Sequence, residues 1–377
     1  MKLLIMAVQF KGGSLQGVVS IIRELVKFNE HEYHIVLSKE VKAQLQGIAF
    51  PENMHLYDLP YKISNRTVNL FLNRGYFSHF EHEVNPDVVL CTSGPMYWKS
   101  VTPCLMGFNL PHHVYRESPY FDTISIASRI RWFLRRKFHR FYFRREGNAF
   151  FVQTDDVNER FQKYVGREEV YTVPNTYSVS YRNIEQFPPK LPPRQDGITR
   201  CLTISAYYPH KNLGIIKKVV DVLEAKRRKD ILFVVTLPSD FYDLLFPTEY
   251  KDRIINVGFV PSKEGPSLYE ECDIMFLPTL LECFSASYAE AMVMRKPIIT
   301  SDMGFAHCVC KDAAVYFNPV DADEIAEKLI SLVDDKELQH QLVAKGDMQK
   351  DQFGTSEDRV KGILDLCEML VKEGKRR

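Results

Sequence analysis

Short apolar runs alternate along the chain with stretches in which apolar residues recur every three or four positions. KLLIMAV (2–8), EYHIVLS (32–38), DVVLCTS (87–93) and NAFFVQT (148–154) have the length and composition of buried strands. Between the first two, Val18, Ile21, Ile22, Leu25 and Val26 trace one face of a helix over 18–28. The alternation restarts near 199 with TRCLTIS (199–205), ILFVVTL (231–237), RIINVGF (253–259), DIMFLP (273–278), KPIITS (296–301) and AAVYFN (313–318). Strand and helix in alternation predict parallel sheets covered by helices on both faces. The last part reads as three helices, 323–333, 336–348 and 356–371. Asp321 is placed to cap the first, with Glu324 at capping-box distance. No repeat at a fixed period is present.

The pattern breaks over 178–198, SVSYRNIEQFPPKLPPRQDGI, which is polar and carries two Pro-Pro pairs. Such a stretch makes a poor element and a good linker. A chain of 377 residues is too long for one ordinary core. The expected division is therefore a first domain over 1–185, a linker over 186–198, and a second domain over 199–355 followed by a helix over 356–377.

Charge adds one asymmetry. The net charge is +1, but residues 1–190 hold 24 Lys+Arg against 18 Asp+Glu, and residues 191–377 hold 25 against 30. A basic half beside an acidic half points to an anionic surface or substrate at the first. The eight cysteines are scattered and form no Cys-x-x-Cys, which argues against a disulfide framework or zinc site and for a reducing compartment. The apolar run near the start, Leu3–Val8, is too short for a signal-peptide core, and no run approaches the ~20 residues of a membrane helix. A cytoplasmic protein is expected.

Doubly wound domains bind ligands at the carboxyl ends of their strands. After the first strand comes QFKGGSLQGV, a glycine turn leading into a helix, suited to close backbone approach by an anion or to simple packing. After strand 199–205 comes AYYPHKNLG. Lys211 precedes a helix expected over 212–228. A cation at a helix start opposes the macrodipole, so an anionic ligand is expected to compensate it, unless the lysine is merely solvated. After strand 273–278 comes TLLECFSASYAEAMVMRKP. Ser285 is the expected N-cap of a helix over 286–294, with Glu282 in the loop before it and Glu290 more than one turn inside. Carboxylates accept bidentate hydrogen bonds from sugar hydroxyl pairs, so the two glutamates suit two polyols with a phosphate bound between them. An E-x7-E pair with an ordinary helix glutamate is the plain alternative. Gly304 in SDMGFAH (301–307) sits in a further strand-end turn.

Taken together, YYPHKNLGII (207–216), VGFVP (257–261), CDIMFLPTLLECFSASYAEAM (272–292), RKPIITSDMGFAH (295–307) and DAAVYFNPVDADEIAEKLISLVDDKEL (312–338) resemble the C-terminal half of the retaining glycosyltransferases of family four. The GG turn and TVPNTYS (172–178) extend the resemblance weakly into the first half. It implies an α/β chain of GT-B architecture, two doubly wound Rossmann-like domains facing across a cleft, with helix 356–377 crossing back to the first. It implies a nucleotide-sugar donor, UDP- or GDP-linked, no separate cofactor, and no divalent metal. In this family's pattern Lys211 contacts the donor diphosphate, Glu290 the ribose hydroxyls and Glu282 the transferred sugar. The backbone N–H groups of Phe284 and Ser285 cradle phosphate, and Gly13 lies near the diphosphate. Lys211 and Glu282 are thus the expected catalytic pair. Two positions depart from the pattern: Ala206 and Tyr207 stand where an arginine is usual, and Glu-Cys-Phe-Ser replaces Glu-Gly-Phe-Gly. The family's first-domain histidine has no clear counterpart. A strand is expected around 114–115, before Arg116-Glu117-Ser118, and His112 and His113 are read as structural.

The implied reaction is transfer of a hexose to a glycan or lipid-linked acceptor with retention of configuration, in polysaccharide or lipopolysaccharide synthesis. A nucleotide-sugar epimerase on the same fold and a non-catalytic nucleotide-sugar or glycan binder are the alternatives. RIRWFLRRKFHRFYFRR (129–145) stands apart, with eight Lys+Arg, no acid and six aromatics, in no single clean stripe. It suits an anionic lipid surface at the inner face of the plasma membrane, or a partly packed helix with a solvated basic side. Nucleic acid is not expected as a partner.

Overall fold

The computed structural model describes residues 1–9, 12–59 and 74–374. The described chain separates into two compact units. One comprises Met1–Arg116, Ile124–Pro174 and Thr355–Arg377, and the other Glu117–Thr123 and Asn175–Gly354. Apart from the closing helix, the first unit therefore ends at Pro174 rather than at 185, and it yields Glu117–Thr123 to the second. The proline-rich 186–198 stretch belongs to the second unit, tied there by backbone N–H groups of Lys190 and Leu191 donating to Glu271. Residues 375–377 of the expected last helix lie outside the described residues.

The first unit holds a seven-stranded parallel sheet among the described residues. Its strands are β1 (Lys2–Ala7), β2 (Glu32–Leu37), β3 (Met54–Asp58), β4 (Val88–Cys91), β5 (Cys104–Gly107), β6 (Ala149–Val152) and β7 (Val170–Thr172), in the order β3-β2-β1-β4-β5-β6-β7. Both faces of β1 are buried, which is why it reads as an unbroken apolar run. One face packs Leu3, Ile5 and Ala7 against Val18 and Ile22 of the helix Gly12–Leu25. The same cluster takes in Val360, Ile363, Leu364 and Cys367 of the helix Ser356–Gly374. Each buried aliphatic side chain contributes about 1.5–3 kcal/mol, so this helix is a structural part of the first core.

The second unit holds six parallel strands: β8 (Thr199–Thr203), β9 (Ile231–Val235), β10 (Ile254–Asn256), β11 (Ile274–Leu277), β12 (Ile298–Ser301) and β13 (Ala314–Phe317). Their order is β10-β9-β8-β11-β12-β13. Phe233 and Phe276 meet Ile216, Val219 and Leu329 from the flanking helices Ile215–Ala225 and Ala322–Asp334. Asp321 caps the second of these, accepting from the Glu324 N–H at 3.0 Å.

Three elements differ from expectation. The helix after β8 begins at Ile215, and Lys211 instead ends a 3-10 turn, Pro209–Lys211, with Asn212 left-handed at φ 55°. Residues 114–115 follow another 3-10 turn, Pro111–His113, and are not a strand. Ser285 does stand at the N-cap of the helix Ala286–Val293, but its side chain makes no capping hydrogen bond. No described helix is long and apolar enough to cross a membrane.

Candidate functional site

In the second sheet the strand order reverses between β8 and β11. The chain leaves β8 for β9 on one side and leaves β11 for β12 on the other. In doubly wound sheets this point of reversal is where ligands bind. Lys211 comes from the loop after β8, Glu282 from the loop after β11, and Glu290 from the helix that follows it.

The loops are fastened to each other. Leu280 N–H donates to the His210 carbonyl at 2.7 Å, which sets Lys211 beside the turn that carries Glu282. Lys211 Nζ forms an ion pair with Glu282 Oε1, and the two side chains keep 15% and 11% of their exposure. Thr279 Oγ1 lies 3.0 Å from the same oxygen. The cation that the sequence left in need of a partner is thus balanced by a side chain of its own unit. Ser118 Oγ donates to the Leu280 carbonyl at 2.7 Å, bringing segment Glu117–Thr123 against the same turn. Burial, and then the neighbouring Lys211 charge, push the His210 imidazole down to about 4, so it is neutral at physiological pH.

Glu290 sits in the middle of Ala286–Val293 and has its own partner, the Tyr181 hydroxyl. Desolvation raises the carboxyl from an ordinary 4.5 to about 7, against the opposing pull of the Tyr181 hydrogen bond and of Lys211. Tyr181 is buried and belongs to the short 3-10 turn Val179–Tyr181. It edges onto Tyr269 with ring centroids 5.9 Å apart. A Cβ at Gly265 would overlap the Tyr181 hydroxyl, so glycine there is what lets the phenol reach Glu290.

Ser285 is buried and Phe284 half-buried, with the Phe284 ring edge-on to Phe353 at 5.9 Å. The Ser285 side chain leaves this helix start without a cap, and uncapped helix N-termini attract anions in general. Gly13 belongs to the other unit. It lies in the first turn of Gly12–Leu25, is exposed, and an added Cβ would meet nothing within 4 Å. The glycine whose backbone demands that residue type is Gly12, at φ 68°.

Sequence reasoning placed Lys211, Glu282, Ser285 and Glu290 at one end of one sheet. It missed Tyr181, Thr279, His210 and Ser118. Thr279 and His210 neighbour the named residues and were open to inspection. Tyr181 and Ser118 reach the site across 109 and 162 positions, from Glu290 and Leu280 respectively, and no local pattern signals that.

Residues 185–348 match the family model described as glycosyl transferases group 1. This stretch is a group 1 glycosyltransferase domain. The O-antigen chain mannosyltransferase RfbU of Salmonella typhimurium is 28% identical over 124 residues, 32% of this chain and 34% of the relative. The match thus spans about a third of that curated relative's length. Among solved structures, a glycosyltransferase from Rickettsia africae aligns over 98% of both chains, with TM-score 0.72 and 14% identity. The Anabaena protein HepE, crystallised with UDP and glucose, aligns over 97% of this chain and 98% of its own, with TM-score 0.71 and 14% identity. At these identities the likeness is one of fold: both parallel α/β units are those of GT-B glycosyltransferases.

Proposed function

We propose that the protein is a retaining hexosyltransferase. It moves a hexose from a UDP- or GDP-linked donor to a glycan or lipid-linked acceptor in polysaccharide or lipopolysaccharide synthesis. One observation carries this reading: within a group 1 glycosyltransferase domain, Lys211, Glu282 and Glu290 gather at the strand ends where the order of the sheet reverses. The name of the Salmonella relative and the UDP and glucose bound to the Anabaena protein point the same way.

In the proposed roles, Glu290 grips the ribose hydroxyls and Lys211 the diphosphate. Glu282 positions the transferred sugar, and the N–H groups of Phe284 and Ser285 hold phosphate. The reading of Gly13 as a neighbour of the diphosphate rests on the resemblance alone. The acceptor oxygen bonds to the anomeric carbon on the face from which the diphosphate leaves. The carbon–phosphate-oxygen bond breaks with its electrons going to the diphosphate, and the acceptor proton is released with the nucleotide. Charge grows on the leaving group, where Lys211 and the helix N-terminus stabilise it without reorganising. Glu282, paired with Lys211, is a positioning carboxylate rather than a nucleophile, and no metal is needed.

The test is a thermal-shift screen with UDP-, GDP-, ADP- and dTDP-sugars, with and without EDTA, on the wild type and on Lys211→Ala and Glu290→Ala. A ligand that binds only the folded state raises the midpoint by mass action. One nucleotide series should stabilise the wild type, survive EDTA and fail on both variants. Turnover with candidate acceptors, and the anomeric configuration of the product, then decide transfer and retention. Stabilisation without turnover leaves a binder, and turnover of donor without acceptor leaves an epimerase.

A further inference from the structure

The basic segment forms one helix, Ile126–Glu146, capped by Ser125. One side is built into the first unit through His139, Tyr142, Phe143 and Glu146. His139 meets His113 at 2.9 Å and the Tyr97 hydroxyl at 2.9 Å, and the Arg136 carbonyl accepts from the Tyr164 hydroxyl at 2.6 Å. This side packs the helix into the unit.

The opposite side is the anomaly. Ile126, Ile130, Phe133, Leu134 and Phe141 are 75%, 55%, 51%, 60% and 58% exposed. On a helix their spacing puts them in one row, facing away from the buried side, with Phe138 at its edge. The aromatics of the segment are divided between two faces, which is why they form no single stripe in the sequence. A merely solvated face has no reason to hold five large apolar side chains in a row.

Charge selects the occupant. Helical spacing places Arg129 along one margin, Arg131 and Arg145 along the other, and Lys137 and Arg144 within the row; all five are exposed. There is no acidic residue between Ile126 and Arg145. A second copy of this helix would meet eight like charges with nothing to balance them. An anionic bilayer offers both an apolar boundary and countercharges, and long basic side chains reach headgroups while their stems lie on apolar surface. We propose that the exposed face of Ile126–Glu146 seats the first unit on an anionic lipid surface. The five apolar side chains enter the acyl boundary and the arginines stay at the headgroups. The proposal does not depend on sugar transfer.

The test is co-sedimentation of the full chain with vesicles of phosphatidylcholine alone and of phosphatidylcholine with phosphatidylglycerol in equal parts. Two multiple variants separate the contributions: Phe133→Ser with Leu134→Ser, and Gln at Arg131, Arg144 and Arg145. All five positions are exposed, so thermal melting should be unchanged. The wild type should bind the mixed vesicles and not the neutral ones, and raised salt should weaken it. Each variant should bind at least about tenfold less tightly. Failure to bind mixed vesicles overturns the proposal, as does binding that ignores both variants. A concentration-dependent dimer in vesicle-free solution, abolished by the serine pair, overturns it in favour of a second copy.

Discussion

The phenol of Tyr181 hydrogen-bonds the carboxyl of Glu290, and it comes from a stretch that composition alone marks as linker. The contact joins a 3-10 turn to the interior of the helix Ala286–Val293 and fixes the one carboxyl in the site that burial pushes to about 7.

That carboxyl makes stability pH-dependent. Its folded value lies above the ordinary 4.5, so between pH 4.5 and about 7 the folded state binds more protons than the unfolded. Glu290 therefore stabilises fully below that window, and the contribution is lost as pH rises through it, by up to about 1.4 kcal/mol per pH unit. Thermal melts across the window should show this slope flattened in Glu290→Gln. An unchanged slope would mean that the carboxyl titrates as an ordinary glutamate.

Tyr181→Phe keeps the ring and removes the hydrogen bond that favours the ionised carboxyl. The Glu290 transition should move to higher pH. Gly265→Ala, which helix propensity alone would favour, should instead destabilise by about 1–3 kcal/mol, because the buried phenol it meets is pinned at its far end. Combining it with Tyr181→Phe should recover part of the loss. Simple additivity of the two costs would break the link between Gly265 and Tyr181.

Lys211 and Glu282 should behave as a unit. A double-mutant cycle with alanine at each position is expected to give a coupling of about 1–3 kcal/mol in stability, since either single change strands a mostly buried charge. If the site is used as proposed, Lys211→Ala also lowers transfer about 10²–10³-fold. Additive stability effects in chemical denaturation would show the pair to be incidental.

The helix Ser356–Gly374 should be indispensable to the first unit. A chain stopped at residue 355 uncovers the face that receives Val360, Ile363, Leu364 and Cys367, and should leave that unit unfolded by hydrogen exchange. Ile363→Ala alone should cost about 2–5 kcal/mol. A truncated chain with full protection in β1 would refute this.

How much of this could be read beforehand follows from how much signal each element carries. β1, β9 and β11 are almost wholly apolar runs buried on both faces, and they announce themselves. β3 is MHLYD, an edge strand with His55 and Asp58 exposed and Tyr57 half-buried; β5 is four residues, and β7 three. Such pieces are set by their neighbours in the sheet and carry little pattern of their own. In the site, residues that follow strand ends were legible because the topology places every such loop on one side of the sheet. Tyr181, Gly265 and Ser118 were not, because their role is a contact with residues distant in sequence.

The helix Ser356–Gly374 also imposes an order of events during synthesis. Residues 175–354 lie in the second unit, and they leave the ribosome before the helix that completes the first core. The first sheet must therefore wait, with the apolar side of β1 uncovered, while a whole domain is translated and free to fold. The unit encoded earlier is the one finished later. Slowed elongation or a chaperone bound over residues 175–354 should bear on the first unit far more than on the second.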